Sequence, residues 1–181
     1  MSVSETRTIT IVAYNPQWPV MFAELRRVLE TALGTIALSI EHVGSTAVPG
    51  LAAKPIIDLD IVIASSDCLS DAIQALALLG YVHEGDLGVT GREAFARQGH
   101  DVPWDGTGRT WPQHHLYVCA RDSAALARHG AFRDYLRQHP EAAAAYAQLK
   151  DQLAHQFPHD REAYTQGKRG FIEAILRRAS A

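Results

Sequence analysis

The sequence is poor in cysteine and contains no long apolar run. Its two cysteines, Cys68 and Cys119, have no metal-binding or redox spacing, so we expect reduced thiols without a role in a site. No apolar run approaches the ~20 residues that cross a bilayer. The first 11 residues lack the basic start and apolar stretch of a signal peptide. The sequence therefore predicts a cytoplasmic protein without a membrane-spanning segment.

The net charge is also small, and lysine is rare. The 17 lysine and arginine residues against 20 acidic residues leave a net charge of -3 and a pI of about 6.3, a balance that does not indicate nucleic-acid binding. Only Lys54, Lys150 and Lys168 are lysines, and the other 14 of these cations are arginines. We interpret this ratio as a compositional bias, so a single arginine is weak evidence of a site.

The rest of the composition is that of a folded α+β protein. With 181 residues, 47% of them apolar and 20% charged, the chain can bury its own core, which excludes a disordered or collagen-like chain. We predict a single domain over residues 1–181, with mixed helix and strand over 1–120 and a helical tail over 121–181. The patterns predict strands at 36–43, 55–63, 81–84, 92–97 and 114–119, and helices at about 16–33, 69–79, 123–137, 140–156 and 161–178.

The segment from Gly99 to Pro112 is rich in turn residues. It holds three glycines, two prolines, two aspartates and two tryptophans, a composition that predicts a loop or lid that is mobile when the site is empty. Trp104 and Trp111 either stack on a base or anchor the lid, and the sequence leaves both readings open.

Two carboxylates share one face of the second predicted strand. Asp58 and Asp60 are two positions apart, so they project together, while Ile57, Leu59 and Ile61 project toward the core. Paired acids on an apolar strand need a cationic partner, because burying unpaired charges costs several kcal/mol each. A salt bridge to buried arginines would satisfy them. A divalent cation such as Mg²⁺, held with phosphate oxygens, would also satisfy them, and we favour this second interpretation.

A small turn precedes that strand and suits a phosphate. Gly44 lets the backbone approach a phosphate closely, and the Ser45 hydroxyl can donate to it. We add Lys54 and Arg92 as candidate phosphate-binding residues, although Lys54 could instead neutralise Asp58 and Arg92 could be a surface charge. Phosphates bridged by metal near such a turn are typical of phosphoryl or nucleotidyl transfer.

The combined pattern resembles a known family. Gly44-Ser45 is followed, after a gap of 12 residues, by Asp58-Leu59-Asp60-Ile61, which is similar to the signature of the polymerase beta-like nucleotidyltransferase superfamily. The whole string from Glu41 to Asp60 resembles the GrpB family. Further stretches that match that family are Gly91–Phe95, His114–Val118, Phe132–Arg137, Tyr146–Lys150 and Lys168–Ile172.

The resemblance implies a small mixed sheet with flanking helices and a helical C-terminal part. It also implies metal-dependent transfer of a nucleoside monophosphate from a nucleoside triphosphate to an unknown acceptor. Asp58 and Asp60 would be the catalytic, metal-binding residues with Mg²⁺ or Mn²⁺. Gly44 and Ser45 would bind the phosphates.

One departure leaves an alternative open. Active members of the superfamily usually carry a third carboxylate on a later strand, and the strand from His114 to Cys119 has none. His115 is the candidate third metal ligand, and an imidazole would favour Zn²⁺ or Ni²⁺ over Mg²⁺. The alternative function is a non-catalytic nucleotide- or coenzyme-binding accessory domain. The sequence does not determine the acceptor, the base or the oligomeric state.

Overall fold

The computed structural model describes residues 8–180. Residues 1–7, on which part of the signal-peptide expectation rests, lie outside the described residues. The helices are α1 (Trp18–Leu33), α2 (Leu69–Leu78), α3 (Ala124–Gln138), α4 (Pro140–Gln156), α5 (Arg161–Gly167) and α6 (Arg169–Ala179). The strands are β1 (Ala37–Val43), β2 (Ile57–Ile63), β3 (Tyr81–Gly85), β4 (Glu93–Arg97) and β5 (His114–Ala120). Over the described range, none of these helices is both long enough and apolar enough to cross a bilayer.

The strands form one mixed sheet in the order β1-β2-β5-β4-β3. Only the central pair, β2 and β5, is parallel, and the other neighbours are antiparallel. Asp58 pairs with His115 in this central register, and Asp60 pairs with Tyr117. Because directly opposed residues point to the same side of a sheet, these four side chains share one face. The prediction of an α+β fold with a mixed sheet and a helical C-terminal part is confirmed.

The opposite face of the sheet forms the main apolar core. Leu59, Ile61 and Leu116 are at most 1% exposed and pack against α1 and α2. The α1 helix presents Leu25 and Leu29 to the sheet, four residues apart, which places them on one helical face. Alternation along each strand therefore separates an apolar face from a polar one.

Helices α3 to α6 cover the polar face. Ser123 caps α3 by accepting hydrogen bonds from the amides of Ala125 and Leu126, and it donates to the Gly91 carbonyl at 2.7 Å. These contacts tie the start of α3 to the segment between β3 and β4. The helix then crosses the sheet above β1 and β5.

The helical tail differs from the prediction in its last part. The sequence predicts one helix over 161–178, whereas the structure has two helices that meet at Lys168. Gly167 packs so closely on α4 that a Cβ there would overlap Leu153 Cδ2. The glycine permits this close approach, and the break places Lys168 at the start of α6.

Candidate functional site

A cavity of about 450 Å³ lies between the polar sheet face and the helical tail. Residues from the turn after β1, from β2 and β5, and from α3 to α6 line it. The cavity therefore exists only where the two halves of the chain meet. Of the predicted site residues, the structure places Gly44, Ser45, Lys54, Asp58, Arg92 and His115 in its lining.

The Gly-Ser turn directly contacts the first aspartate. Gly44 directly follows β1 and has a φ of 71°, and a Cβ at this position would collide with Asp58 Oδ2. Only glycine fits both the positive φ and the close approach. Ser45 then begins a short 3₁₀ turn, Ser45–Ala47. The spacing in the sequence thus brings Gly44, Ser45 and Asp58 to one wall of the cavity.

Asp58 is paired with a histidine. Its Oδ1 lies 2.8 Å from His115 Nδ1 on the neighbouring strand. Both side chains are partly exposed, 27% for Asp58 and 35% for His115, so both can reach a ligand. A carboxylate that holds one ring nitrogen fixes the orientation of the imidazole.

Asp60 is placed differently from Asp58. Its side chain is 0% exposed, and Oδ2 lies 2.6 Å from His129 Nδ1 on α3. Oδ1 is buried and has no hydrogen-bond partner among residues 8–180. Asp60 does not line the cavity, while His129 does. Each acid therefore has a histidine as its partner, which the sequence did not predict, and neither acid pairs with an arginine within the described part of the chain.

All three lysines of the chain line this cavity. Lys150 is the most deeply buried, at 2% exposure. Its Nζ donates to Ser45 Oγ at 2.9 Å and to the Ala52 carbonyl at 2.6 Å. Burial, followed by the charges of Lys168 and Lys54, lowers the pKa of Lys150 to about 7. The Gly-Ser turn is therefore tied to α4 through an ammonium group.

Lys54 and Lys168 share one aromatic ring. Their Nζ atoms lie 5.1 Å and 4.4 Å from the centre of the Tyr164 ring. Burial, and then Lys54, lowers the pKa of Lys168 to about 8. The pKa of Lys54 is also lowered, by burial and then by Arg161. Between residues 8 and 180, no carboxylate lies within 4.0 Å of any of the three lysines.

The arginines of the cavity have different surroundings. Arg92 lies over Tyr117, with its guanidinium carbon 4.3 Å from the ring centre. Arg128 is paired with Glu173 at 2.6 Å at the surface. Arg161 lowers the pKa of Lys54 and Lys168 through its charge. The cavity therefore concentrates positive charge in a protein whose net charge is negative.

Two other histidines serve the apolar core. His114 is 5% exposed and lies 2.6 Å from the Tyr81 hydroxyl. Burial lowers its pKa to about 3. His42 stacks on Phe22, and burial lowers its pKa to about 4. Of the adjacent pair at the start of β5, His115 alone faces the cavity.

The predicted lid is not at the site. Trp111 is 4% exposed and belongs to the core packed around α1 and α2. Its Nε1 donates to the Pro103 carbonyl at 2.8 Å, and Arg109 stacks on its ring at 3.6 Å. Neither Trp104 nor Trp111 lines the cavity. The segment 99–112 is a loop, one of the two predicted alternatives, and Trp111 anchors it on the apolar face, away from the cavity.

The donor atoms suit a hard cation only in part. Over residues 8–180, no group of three or more His, Cys, Asp and Glu side chains is arranged to hold a metal. The unpartnered Asp60 Oδ1 is nevertheless a buried anionic acceptor on the same strand face as Asp58. Two carboxylates fit Mg²⁺ when phosphate oxygens complete the coordination. Of these two acids, however, only Asp58 lines the cavity, so one carboxylate alone faces a cation bound there together with a phosphate ligand.

Sequence reasoning did not assign several cavity residues: Lys150, Lys168, Arg161 and His129. For the lysines a signal was present. A chain that uses arginine for 14 of its 17 basic residues keeps lysine at only three positions, and all three line the cavity. For His129 no local signal exists, because its role depends on the packing of α3 over β2.

Comparison with known proteins identifies the family of this chain. The family described as GrpB protein matches residues 8–178. This chain belongs to the GrpB family. It is 42% identical to a UPF0157 protein of Pseudomonas aeruginosa, covering 96% of this chain and 68% of that protein. It is 38% identical to the UPF0157 protein YqkA of Bacillus subtilis, covering 92% of this chain.

A solved structure extends the comparison to the fold. The conserved protein GrpB from Enterococcus faecalis has a TM-score of 0.79 and 33% identity, covering 94% of this chain and 96% of that one. This chain nevertheless spans only 46% of the length of the Bacillus relative. The family prediction made from the residues is confirmed.

Proposed function

We propose that this GrpB protein is a metal-dependent nucleotidyltransferase that uses a nucleoside triphosphate and an acceptor yet to be found. The observation that carries the proposal is the cluster of Lys54, Lys150 and Lys168, without carboxylate partners among the described residues, facing Ser45 and Asp58 in one cavity. Cations confined in a partly closed cavity attract a polyanion. A triphosphate is such a polyanion. Transfer of its nucleotidyl group also requires a divalent cation, which Asp58 and Asp60 would hold.

The phosphate chain would lie along the turn and the lysines. Ser45 Oγ accepts from Lys150 at 2.9 Å, which fixes the hydroxyl at the wall of the cavity. Lys54 and Lys168 extend the positive surface toward α5. Burial, and after it the charges of the neighbouring lysines, lowers the pKa values of Lys150 and Lys168. The negative charge of the phosphates would offset both effects.

Asp58 and Asp60 would hold the divalent cation, and His115 is the further ligand if the metal is Zn²⁺ or Ni²⁺. When bound, the cation would supply neutralisation of the charge on the reacting phosphate. For Asp60 to take part, His129 must release Oδ2 or the cation must reach Oδ1. The predicted roles of Asp58, Asp60, Gly44, Ser45, Lys54 and Arg92 all remain predictions.

The transfer would proceed by in-line displacement. An acceptor oxygen forms a bond to the α-phosphorus, the bond between that phosphorus and the bridging oxygen breaks, and pyrophosphate leaves. His115, held by Asp58 through Nδ1, has Nε2 available to accept the proton of the acceptor. Its position on β5, next to Asp58, is where the superfamily resemblance leads us to expect a third acid.

A second candidate is a nucleotide-binding accessory domain without catalysis. The observation that favours it is the full burial of Asp60 under His129, which leaves a single exposed carboxylate in the cavity. Incubation with α-labelled triphosphates, Mg²⁺ or Mn²⁺, and cell extract separates the two functions. Transferase activity gives a labelled product that Asp58→Asn abolishes and the exposed control Asp71→Asn does not. Nucleotide binding without any labelled product would favour the accessory domain.

A further inference from the structure

Every lysine amine of the chain lies in the one cavity. Lys54, Lys150 and Lys168 are the only lysines, and all three line the cavity. A lysine amine attacks an electrophile only when it is unprotonated, and burial or a neighbouring cation favours that form. Over residues 8–180, no carboxylate lies within 4.0 Å of these amines to favour the charged form instead. The cavity therefore holds amines that are prepared to act as nucleophiles.

Lys168 combines this environment with access to solvent. It is partly exposed, and its Nζ lies 4.4 Å from the centre of the Tyr164 ring. Burial, and then the charge of Lys54, lowers the pKa of Lys168 to about 8. Arg161 acts in the same direction and Asp58 in the opposite one. At about pH 7.5, roughly a quarter of such an amine is unprotonated, against roughly 1 in 1,000 for an ordinary lysine.

Lys150 provides a contrast within the same cavity. It is only 2% exposed, and its Nζ is held by Ser45 Oγ at 2.9 Å and by the Ala52 carbonyl at 2.6 Å. An amine that is buried and bound at two points cannot approach an electrophile without breaking those contacts. We therefore expect Lys168 to react faster than Lys150, although burial lowers the pKa of Lys150 further, to about 7.

The cations around Lys168 determine which electrophile collects there. Lys54 and Arg161 line the same cavity, and basic groups in a partly closed cavity attract phosphate. An acyl phosphate joins a phosphate to an electrophilic carbonyl carbon through one oxygen. Such a donor carries its reactive carbon beside the group that the cations bind, and so delivers it to the amine.

We propose that Lys168 is a site of acylation by small acyl phosphates. The Nζ lone pair forms a bond to the carbonyl carbon, the bond from that carbon to the bridging oxygen breaks, and inorganic phosphate leaves with the electron pair. The surplus proton on the nitrogen passes to the departing phosphate. Acylation removes the positive charge over the Tyr164 ring, so it should weaken phosphate binding in the cavity. This modification goes beyond nucleotidyl transfer and does not require it.

Acetyl phosphate, added to the whole chain at about pH 7.5, tests the site. Peptide mapping by mass spectrometry gives the rate at each of the three lysines. The same chain unfolded in guanidinium chloride is the reference, because all three amines are then equally exposed. We expect Lys168 to react about tenfold or more faster in the folded chain, and faster there than Lys150. Excess inorganic phosphate should slow the reaction at Lys168 by about fivefold or more. Equal rates in the folded and unfolded chain, a preference for Lys150, or no protection by phosphate would overturn the proposal.

The neighbouring cation can be tested by substitution. Lys54→Met should slow acetylation of Lys168 by about tenfold, because it removes a charge that both attracts phosphate and favours the unprotonated amine. Lys54→Arg should restore most of the rate. Arg121→Met, on an exposed turn, is the matched charge control and should react like the wild type. Equal slowing in Lys54→Met and Arg121→Met would contradict a local effect. If Lys54→Met does not fold, the protection by inorganic phosphate still decides.

The consequence for binding has its own measurement. Calorimetry with inorganic tripolyphosphate should show about tenfold weaker binding after acetylation. Protein treated with acetyl phosphate under excess inorganic phosphate, and then dialysed, is the control and should bind like untreated protein. Unchanged affinity in the acetylated protein would exclude this effect on binding. The transferase assay is independent: a labelled transfer product without acetylation of Lys168 overturns only this inference, and acetylation without a transfer product leaves it standing.

Discussion

The two faces of the sheet differ in the polar groups that they bury and in the partners of those groups. On the α1 and α2 side, the buried histidines His42 and His114 both have hydrogen-bond partners and are surrounded by apolar side chains. On the α3 to α6 side, Lys54 and Lys168 have no carboxylate partner among the described residues, and Asp60 Oδ1 accepts no hydrogen bond there. The same strands supply both faces. The first face stabilises the fold, and the second keeps charges available for a ligand.

The largest expected effect is on the apolar face. Leu59→Ala should lower the free energy of unfolding by about 2–5 kcal/mol, because it leaves a cavity in a fully buried core. Urea unfolding followed by circular dichroism measures the change. Asp58→Asn, one position earlier and on the other face, is the matched comparison and should cost much less. An equal loss for the two variants would contradict the division between the faces.

Acid should destabilise the apolar face by a few kcal/mol. The pKa of His114 is lowered to about 3 and that of His42 to about 4 by burial. Below pH 6.5 the unfolded chain therefore binds protons that the folded chain does not, and stability falls as the pH falls from 6.5 to 4. Thermal melts across this range measure the slope. His114→Gln should reduce it and the exposed control His155→Gln should not; an unchanged slope in the first variant would exclude His114 as the cause.

Metal binding should depend on the cavity face alone. Asp58→Asn combined with Asp60→Asn should weaken Mn²⁺ or Mg²⁺ binding by about 100-fold or more, since neutral amides replace charged oxygens. Titration calorimetry of the wild type, the double variant and Asp71→Asn measures this. Equal affinity in all three proteins would argue against a site at these aspartates.

A smaller pH effect is expected on the cavity face, in a different window. Lys150 and Lys168 have pKa values lowered to about 7 and about 8, mainly by burial. Above these values the unfolded chain keeps protons that the folded chain has released, so stability should rise by about 1–2 kcal/mol between pH 7 and 8.5. Lys168→Met should flatten this rise in thermal melts. If the wild type is less stable at pH 8.5 than at pH 7, the lysines are not the dominant groups.

The smallest expected effect is none at all. Trp104 and Trp111 lie outside the cavity, so their emission should not change when tripolyphosphate and Mg²⁺ bind. Fluorescence of a Trp18→Phe variant, which retains only these two tryptophans, measures this. A clear change at saturating ligand would restore the idea that the segment 99–112 closes over the site.

Much of the site could be predicted because its residues lie close together in sequence. Gly44, Ser45 and Asp58 are separated by one turn and one loop, and the period of a strand places Asp58 and Asp60 on the same face. The strand alternation also distinguished His115 from His114. Short spacing and strand alternation are local rules that do not depend on contacts between distant parts of the chain.

The predictions that the structure corrected depend on contacts between distant segments. The segment 99–112 has the composition of a lid, but Trp111 gains more by burial in the core than by exposure at the cavity mouth. The sequence predicts one helix over residues 161–178, whereas the close contact between Gly167 and Leu153 accompanies a division into α5 and α6. Neither contact has a signature within its own segment.

By itself the sequence determined the family, the alternation of the strands and the turn that meets Asp58. The tertiary structure alone decided that Asp60 is buried under His129 and that Lys54, Lys150 and Lys168 converge in one cavity. These residues are up to 114 positions apart, between Lys54 and Lys168. The physical reason is that hydrogen-bond geometry and strand periodicity act over a few residues. The convergence of the three lysines in one cavity depends on how the helical tail packs across the sheet.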